Sequence, residues 1–108
     1  MDFPKRREIW LASLEPVVGH EIGKTRPALV ISNDQNNQFA DTVTVIPITS
    51  RTDKIYPFET LLLKEECGIP VDSKLKSNQV RTLDKRRLIK LLCRISQEKL
   101  KQVERSLL

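Results

Sequence analysis

Apolar residues along this chain fall in short runs broken by polar, proline or glycine-marked segments, the pattern of a protein built mainly from strands. Glu8 to Leu14 predicts a first strand, which Glu15-Pro16 stops before a long loop. Pro27 can open a strand, where its missing N–H costs little, and Ala28 to Ser32 continue as a buried second strand that Asn33-Asp34 ends. Gln35 to Ala40 is polar, with Asn36-Asn37 inside, and predicts an exposed turn or a short helix whose Phe39 docks on the core. Thr42-Val43-Thr44-Val45-Ile46 is β-branched throughout, a composition at odds with helix and suited to a pleated surface, and predicts the third strand.

Further on, Arg51 to Pro57 reads as a mobile loop and Phe58 to Leu63 as a fourth strand. Gly68 and Pro70 mark Lys64 to Asp72 as a turn region. Ser73 to Val80 predicts a strand exposed on one face, Arg81 to Arg87 a linker, and Leu88 to Ile95 a last strand. Ser96 is a good N-cap, Gln97 and Glu98 suit a first helical turn, and Ile95 can staple against Leu100. Leu100, Val103 and Leu107 then form one apolar stripe on a C-terminal helix. Six short strands and one terminal helix imply a small, strongly bent β-barrel or sandwich.

Length changes this picture little: 108 residues make one domain, 1–108, with no repeat or dividing linker. No run approaches the roughly 20 apolar residues of a membrane span, and no apolar signal core follows Met1 to Glu8, so the protein is expected in the cytoplasm. The low aromatic share, 5%, argues against a surface built mainly of stacking platforms. Cys67 and Cys93 have neither metal-ligand nor redox spacing and read as reduced thiols, Cys93 in the core and Cys67 in a turn. Charge adds more. Residues 1–73 carry 8 basic and 11 acidic side chains, net −3, whereas residues 74–108 carry 11 and 3, net +8. Such asymmetry favours an anionic partner, either a phosphate backbone or an acidic protein segment.

Candidate chemistry gathers in Gly19-His20-Glu21-Ile22-Gly23-Lys24-Thr25-Arg26-Pro27, where one loop holds an imidazole, a carboxylate and two cations. Arg26 offers a planar fork of donors that stays charged, and Pro27 holds its backbone extended. His20 is the sole imidazole, the side-chain type whose unperturbed pKa makes it a natural proton carrier. Downstream, the third run ends Ile46-Pro47-Ile48-Thr49-Ser50, so two hydroxyls could stand beside Arg26 if the runs pair as neighbouring strands. Lys76 to Asp84 adds Asn78, Gln79 and Arg81, two amides and a guanidinium suited to bases and phosphate.

The combination G-x-E-x-x-K-x-R-P with P-x-T-S resembles the MazF/PemK (Kid-like) family of toxin endoribonucleases, and the likeness runs from Glu8-Ile9-Trp10 to the terminal helix. It implies an SH3-like β-barrel of the CcdB/MazF toxin type, mainly β with a C-terminal helix, assembling as a homodimer. It also implies a metal-independent, sequence-specific endoribonuclease that needs no cofactor, cuts single-stranded RNA and leaves a cyclic phosphate and a free 5′-hydroxyl. The implied protein partner is an antitoxin with an acidic tail. Arg26 matches one catalytic position and Thr49 the other, with Ser50 following it. His20, Glu21, Lys24, Ser50, Asn78, Gln79 and Arg81 are the candidate substrate-binding residues, and Asn78 stands where the family often has an acid. RNA cleavage without metal needs a base for the 2′-hydroxyl proton, an acid for the leaving oxygen and cations for the phosphorane, and an amide cannot be that base. Two other readings are a CcdB-like gyrase poison, whose Trp-Gly-Ile tail is absent here, and a non-catalytic SH3-like nucleic-acid-binding module.

Overall fold

The computed structural model describes residues 3–15, 19 and 24–107. Its strands are β1 (Glu8–Ser13), β2 (Thr25–Val30), β3 (Thr42–Thr49), β4 (Thr60–Leu62), β5 (Ser73–Leu75), β6 (Arg81–Asp84) and β7 (Leu88–Arg94). The helices are α1 (Asp34–Phe39), α2 (Lys64–Cys67) and α3 (Gln97–Ser106). All pairings are antiparallel, in the order β4-β5-β3-β2-β1-β7, with β6 also on β3.

The central strands are covered on both sides, which is why their sequence is a continuous apolar run. Leu29, Ile46 and Ile48 point into one core with Ile9, Leu62, Leu75 and Ile95, and α3 covers it with Leu100 and Val103. Ala28, Val30, Val43 and Val45 point the other way, into a second core with Ala12, Leu14 and Leu83. Ser96 caps α3 as expected, its side chain accepting from the Lys99 N–H. The strands described do not close into a ring: α3 follows β7 and lies against β4, where Lys99 Nζ donates to the Leu61 carbonyl at 3.2 Å.

Several local expectations are corrected. Residues 73–87, read as a strand and a linker, form β5 and β6 on the same edge of β3, with a 3-10 turn (Ser77–Gln79) between them. Ile48 pairs with Leu75 but Val45 with Arg81, so three extra residues of this run bulge out of the ladder. Gln35 to Ala40 does contain a helix, but Phe39 is 75% exposed while Asn37 is fully buried. Asn37 Nδ2 donates to the Ser32 carbonyl at 2.9 Å, its Oδ1 accepts from Ser32 Oγ, and that same Oγ accepts from the Thr44 N–H. A satisfied amide thus occupies the inward position that the phenyl ring was expected to take. Leu107 stands exposed as the cap of α3 and leaves the stripe.

Cys67 and Cys93, expected as thiols, are joined in a disulfide with Cα atoms 5.8 Å apart. Gly68 ends α2 in the left-handed conformation, φ 71°, its N–H bonding the Lys64 carbonyl, and so turns the chain directly after Cys67. Their spacing could not reveal this, because only the fold brings α2 onto the edge strand β7.

Candidate active site

β2 and β3 meet with Ala28 opposite Pro47, Leu29 opposite Ile46 and Val30 opposite Val45. Arg26 lies two residues before Ala28 and Thr49 two residues beyond Pro47, towards one end of an antiparallel pair. Alternation sets both on the sheet face of Ala28 and Val45, the face of the second core. Apolar packing on that face gives way at this end to polar side chains. Across β3, Thr49 pairs with Lys74 of β5, and Lys76, just past the end of that strand, brings its Nζ to the same carboxylate as Lys74.

The end of the face opens into a cleft of about 320 Å³ lined by Thr49, Arg51, Asp53, Lys54, Tyr56, Lys74, Lys76 and Gln79. Thr49 is nearly buried and its Oγ1 accepts from the Arg51 N–H at 3.3 Å. Behind the cleft lies Glu59, whose side chain is wholly buried. Its Oε1 accepts from Lys74 Nζ at 3.0 Å and from the Tyr56 N–H at 2.9 Å, and its Oε2 accepts from Lys76 Nζ at 2.7 Å. Burial pushes the Glu59 carboxyl up, but the bonds from Lys76, the Tyr56 N–H and Lys74, with the Lys76 charge, outweigh it and hold the group below its ordinary value. It is therefore a carboxylate at neutral pH. Lys74 Nζ also donates to the Lys54 carbonyl at 2.7 Å, fixing the 51–57 segment at the cleft rim. Among the described residues no three His, Cys, Asp or Glu side chains are grouped so as to hold a metal ion.

Of the residues singled out in the sequence, Thr49 and Gln79 line this cleft and Arg26 stands on the neighbouring strand at the same end. Gln79 is set by the 3-10 turn, through its N–H to the Lys76 carbonyl at 2.8 Å. Lys24 is exposed at φ 64°, its N–H bonded to Glu15 and its carbonyl to the Leu14 N–H at 2.8 Å, which holds the start of β2 against the end of β1. Arg81 Nη1 donates to the Leu14 carbonyl at 2.7 Å and anchors Leu14 from β6. Ser50 and Asn78 are exposed and are not among the described residues that line the cleft. His20 and Glu21 lie outside the described residues.

Sequence reasoning missed Glu59, Lys74 and Lys76. The available signal was Lys74-Leu75-Lys76, a strand alternation with cations on one side and a core leucine on the other. Tyr56 and Phe58 were also passed over; they stack at 5.3 Å beside the cleft, exposing about 40% of each.

The family model of the PemK-like, MazF-like toxin of type II toxin-antitoxin systems matches residues 5–108. The chain is similar to endoribonuclease MazF9 of Mycobacterium tuberculosis, 38% identical over 108 residues that cover 95% of this chain and 92% of that protein. Its fold is similar to crystal structures of MazF from Deinococcus radiodurans (TM-score 0.86, 30% identity, covering 99% of this chain and 94% of that one) and of a MazE–MazF assembly from the same organism (TM-score 0.77, 27% identity, 99% and 93%). With a matching family model over nearly its whole length, and the arginine and threonine of its motifs brought to one end of one sheet face, the chain belongs to the PemK-like, MazF-like toxins of type II toxin–antitoxin systems.

Proposed function

We propose that this toxin is a metal-independent endoribonuclease that cuts single-stranded RNA at a short sequence, in the cytoplasm, and so arrests translation and growth. One observation carries the reading: Arg26 and Thr49, far apart in sequence, occupy neighbouring strands on one face, beside a cleft rich in cations. The 2′-oxygen attacks the adjacent phosphorus, the bond from phosphorus to the 5′-oxygen breaks, and the products are a 2′,3′-cyclic phosphate and a 5′-hydroxyl. A proton leaves the 2′-hydroxyl and a proton reaches the 5′-oxygen. The Arg26 guanidinium spreads two donors over the crowded phosphorane, and the Thr49 hydroxyl bonds one of its oxygens. An MazE–MazF assembly in a similar fold supports an antitoxin as protein partner, with an acidic tail suited to this basic cleft. Two copies of the chain form the working unit.

The test is incubation with a mixed RNA pool in EDTA, followed by analysis of the new ends. Cyclic phosphate and 5′-hydroxyl termini at a recurring sequence are expected from wild type, and intact RNA from Arg26→Ala that remains folded. Binding without new ends would leave only a nucleic-acid-binding module.

A further inference from the structure

The Glu59 carboxylate is buried among two lysines, and the two are not equivalent. Lys74 Nζ is shut in, its side chain only 8% exposed, and is occupied by Glu59 and the Lys54 carbonyl. Lys76 Nζ is more open at 19% and, among the described residues, makes one hydrogen bond, to Glu59 Oε2. An ammonium carries three donors, so Lys76 keeps directional capacity, and it lines the cleft two positions along from the residue that faces Thr49. A carboxylate between two ammonium groups leaves one positive charge over. With Arg51 and Lys54 on the wall and Asp53 the sole acid among the lining residues described, the cleft is a place for an anion.

We infer that Lys76 is a substrate-binding residue that holds an RNA phosphate next to the scissile one, with Glu59 as its positioning residue and Lys74 as the counter-charge that lets Glu59 be buried. This rests on the ribonuclease reading for the identity of the polyanion. The buried carboxylate, neutralised by Lys74, thereby gains a use in holding Lys76. A surface lysine would spread over many rotamers, whereas one tethered by a buried acid presents its charge at a fixed point beside the reacting groups, so less freedom is lost on binding.

The experiment measures cleavage kinetics of the mixed RNA pool and, separately, filter binding of a 2′-O-methylated pool, which has no 2′-hydroxyl to attack, between about 50 and 300 mM salt, for wild type, Lys76→Met, Lys76→Arg and Glu59→Gln. Loss of one phosphate contact to a single strand lowers the slope of log K against log salt by about 0.7. Lys76→Met is expected to lower that slope by this amount and to raise KM about tenfold with a much smaller fall in kcat. Lys76→Arg restores the slope. Glu59→Gln, still folded by circular dichroism, is expected to keep the slope, because the lysine charge remains, yet raise KM several-fold through lost positioning. If wild type cuts RNA while Lys76→Met keeps both wild-type slope and KM, the inference is overturned and the ribonuclease reading stands. If wild type binds without cutting and Lys76→Met still lowers the slope, the phosphate site stands and the ribonuclease reading falls. A Glu59→Gln protein with wild-type KM removes Glu59 from the positioning role.

Discussion

Pro47 on β3 lies opposite Ala28 on β2, and this one pairing carries Arg26 and Thr49 to the same end of the same sheet face. The relationship is set by register. A slip of one residue would send either side chain to the opposite core, among Leu29 and Ile46, so the apolar pattern of both strands holds the polar pair in place.

Removing the Thr49 hydroxyl at nearly constant volume, Thr49→Val, is expected to lower kcat about 10²-fold, the usual size of one lost donor to a developing oxyanion. Thr49→Ser should retain most activity. Arg26→Lys keeps the charge but loses the fork, and is expected to fall by a similar or larger factor. Single-turnover cleavage of an RNA cut by wild type measures all three.

Glu59 gives stability a pH dependence whose sign follows from its environment. Its folded value lies below the ordinary 4.5, so its contribution is present above that pH and is lost as the pH falls through the folded value. Urea unfolding near pH 7 should find Glu59→Gln less stable than wild type by about 3 kcal/mol, the cost of breaking a buried pair. The gap should shrink on acidification below about pH 4.5.

Asn37 ties α1 to β3 through Ser32. Asn37→Ala leaves the Ser32 carbonyl and hydroxyl without this partner inside the protein and is expected to cost about 2 kcal/mol, read as a lower urea midpoint. Phe39→Ser, at an exposed site on the same helix, should change stability by less than about 0.5 kcal/mol.

The Cys67–Cys93 bridge closes a stretch with a sequence separation of 26. Its reduction is expected to lower stability by about 3 kcal/mol, mostly through the freer unfolded chain. Comparing urea midpoints with and without dithiothreitol checks this, and a thiol assay of the unreduced, denatured protein should find no free cysteine.

Patterns local to the chain were enough for the strand at Thr42, the apolar stretch Ala28 to Val30 of β2, the cap at Ser96 and the mainly β class, because β-branched and apolar runs and caps act on their immediate neighbours, whereas β2 opens at Thr25, two residues before the proline expected to start it, through its pairing with β1. The motif around Arg26 and the threonine after Pro47 likewise announced the family. Contacts between distant segments were beyond local reading. The burial of Glu59 between Lys74 and Lys76 needs β4 laid on β5, and the disulfide needs α2 brought onto β7. A lysine, a glutamate and a cysteine look the same in any polar stretch; their chemistry here comes from desolvation and from partners that only folding supplies.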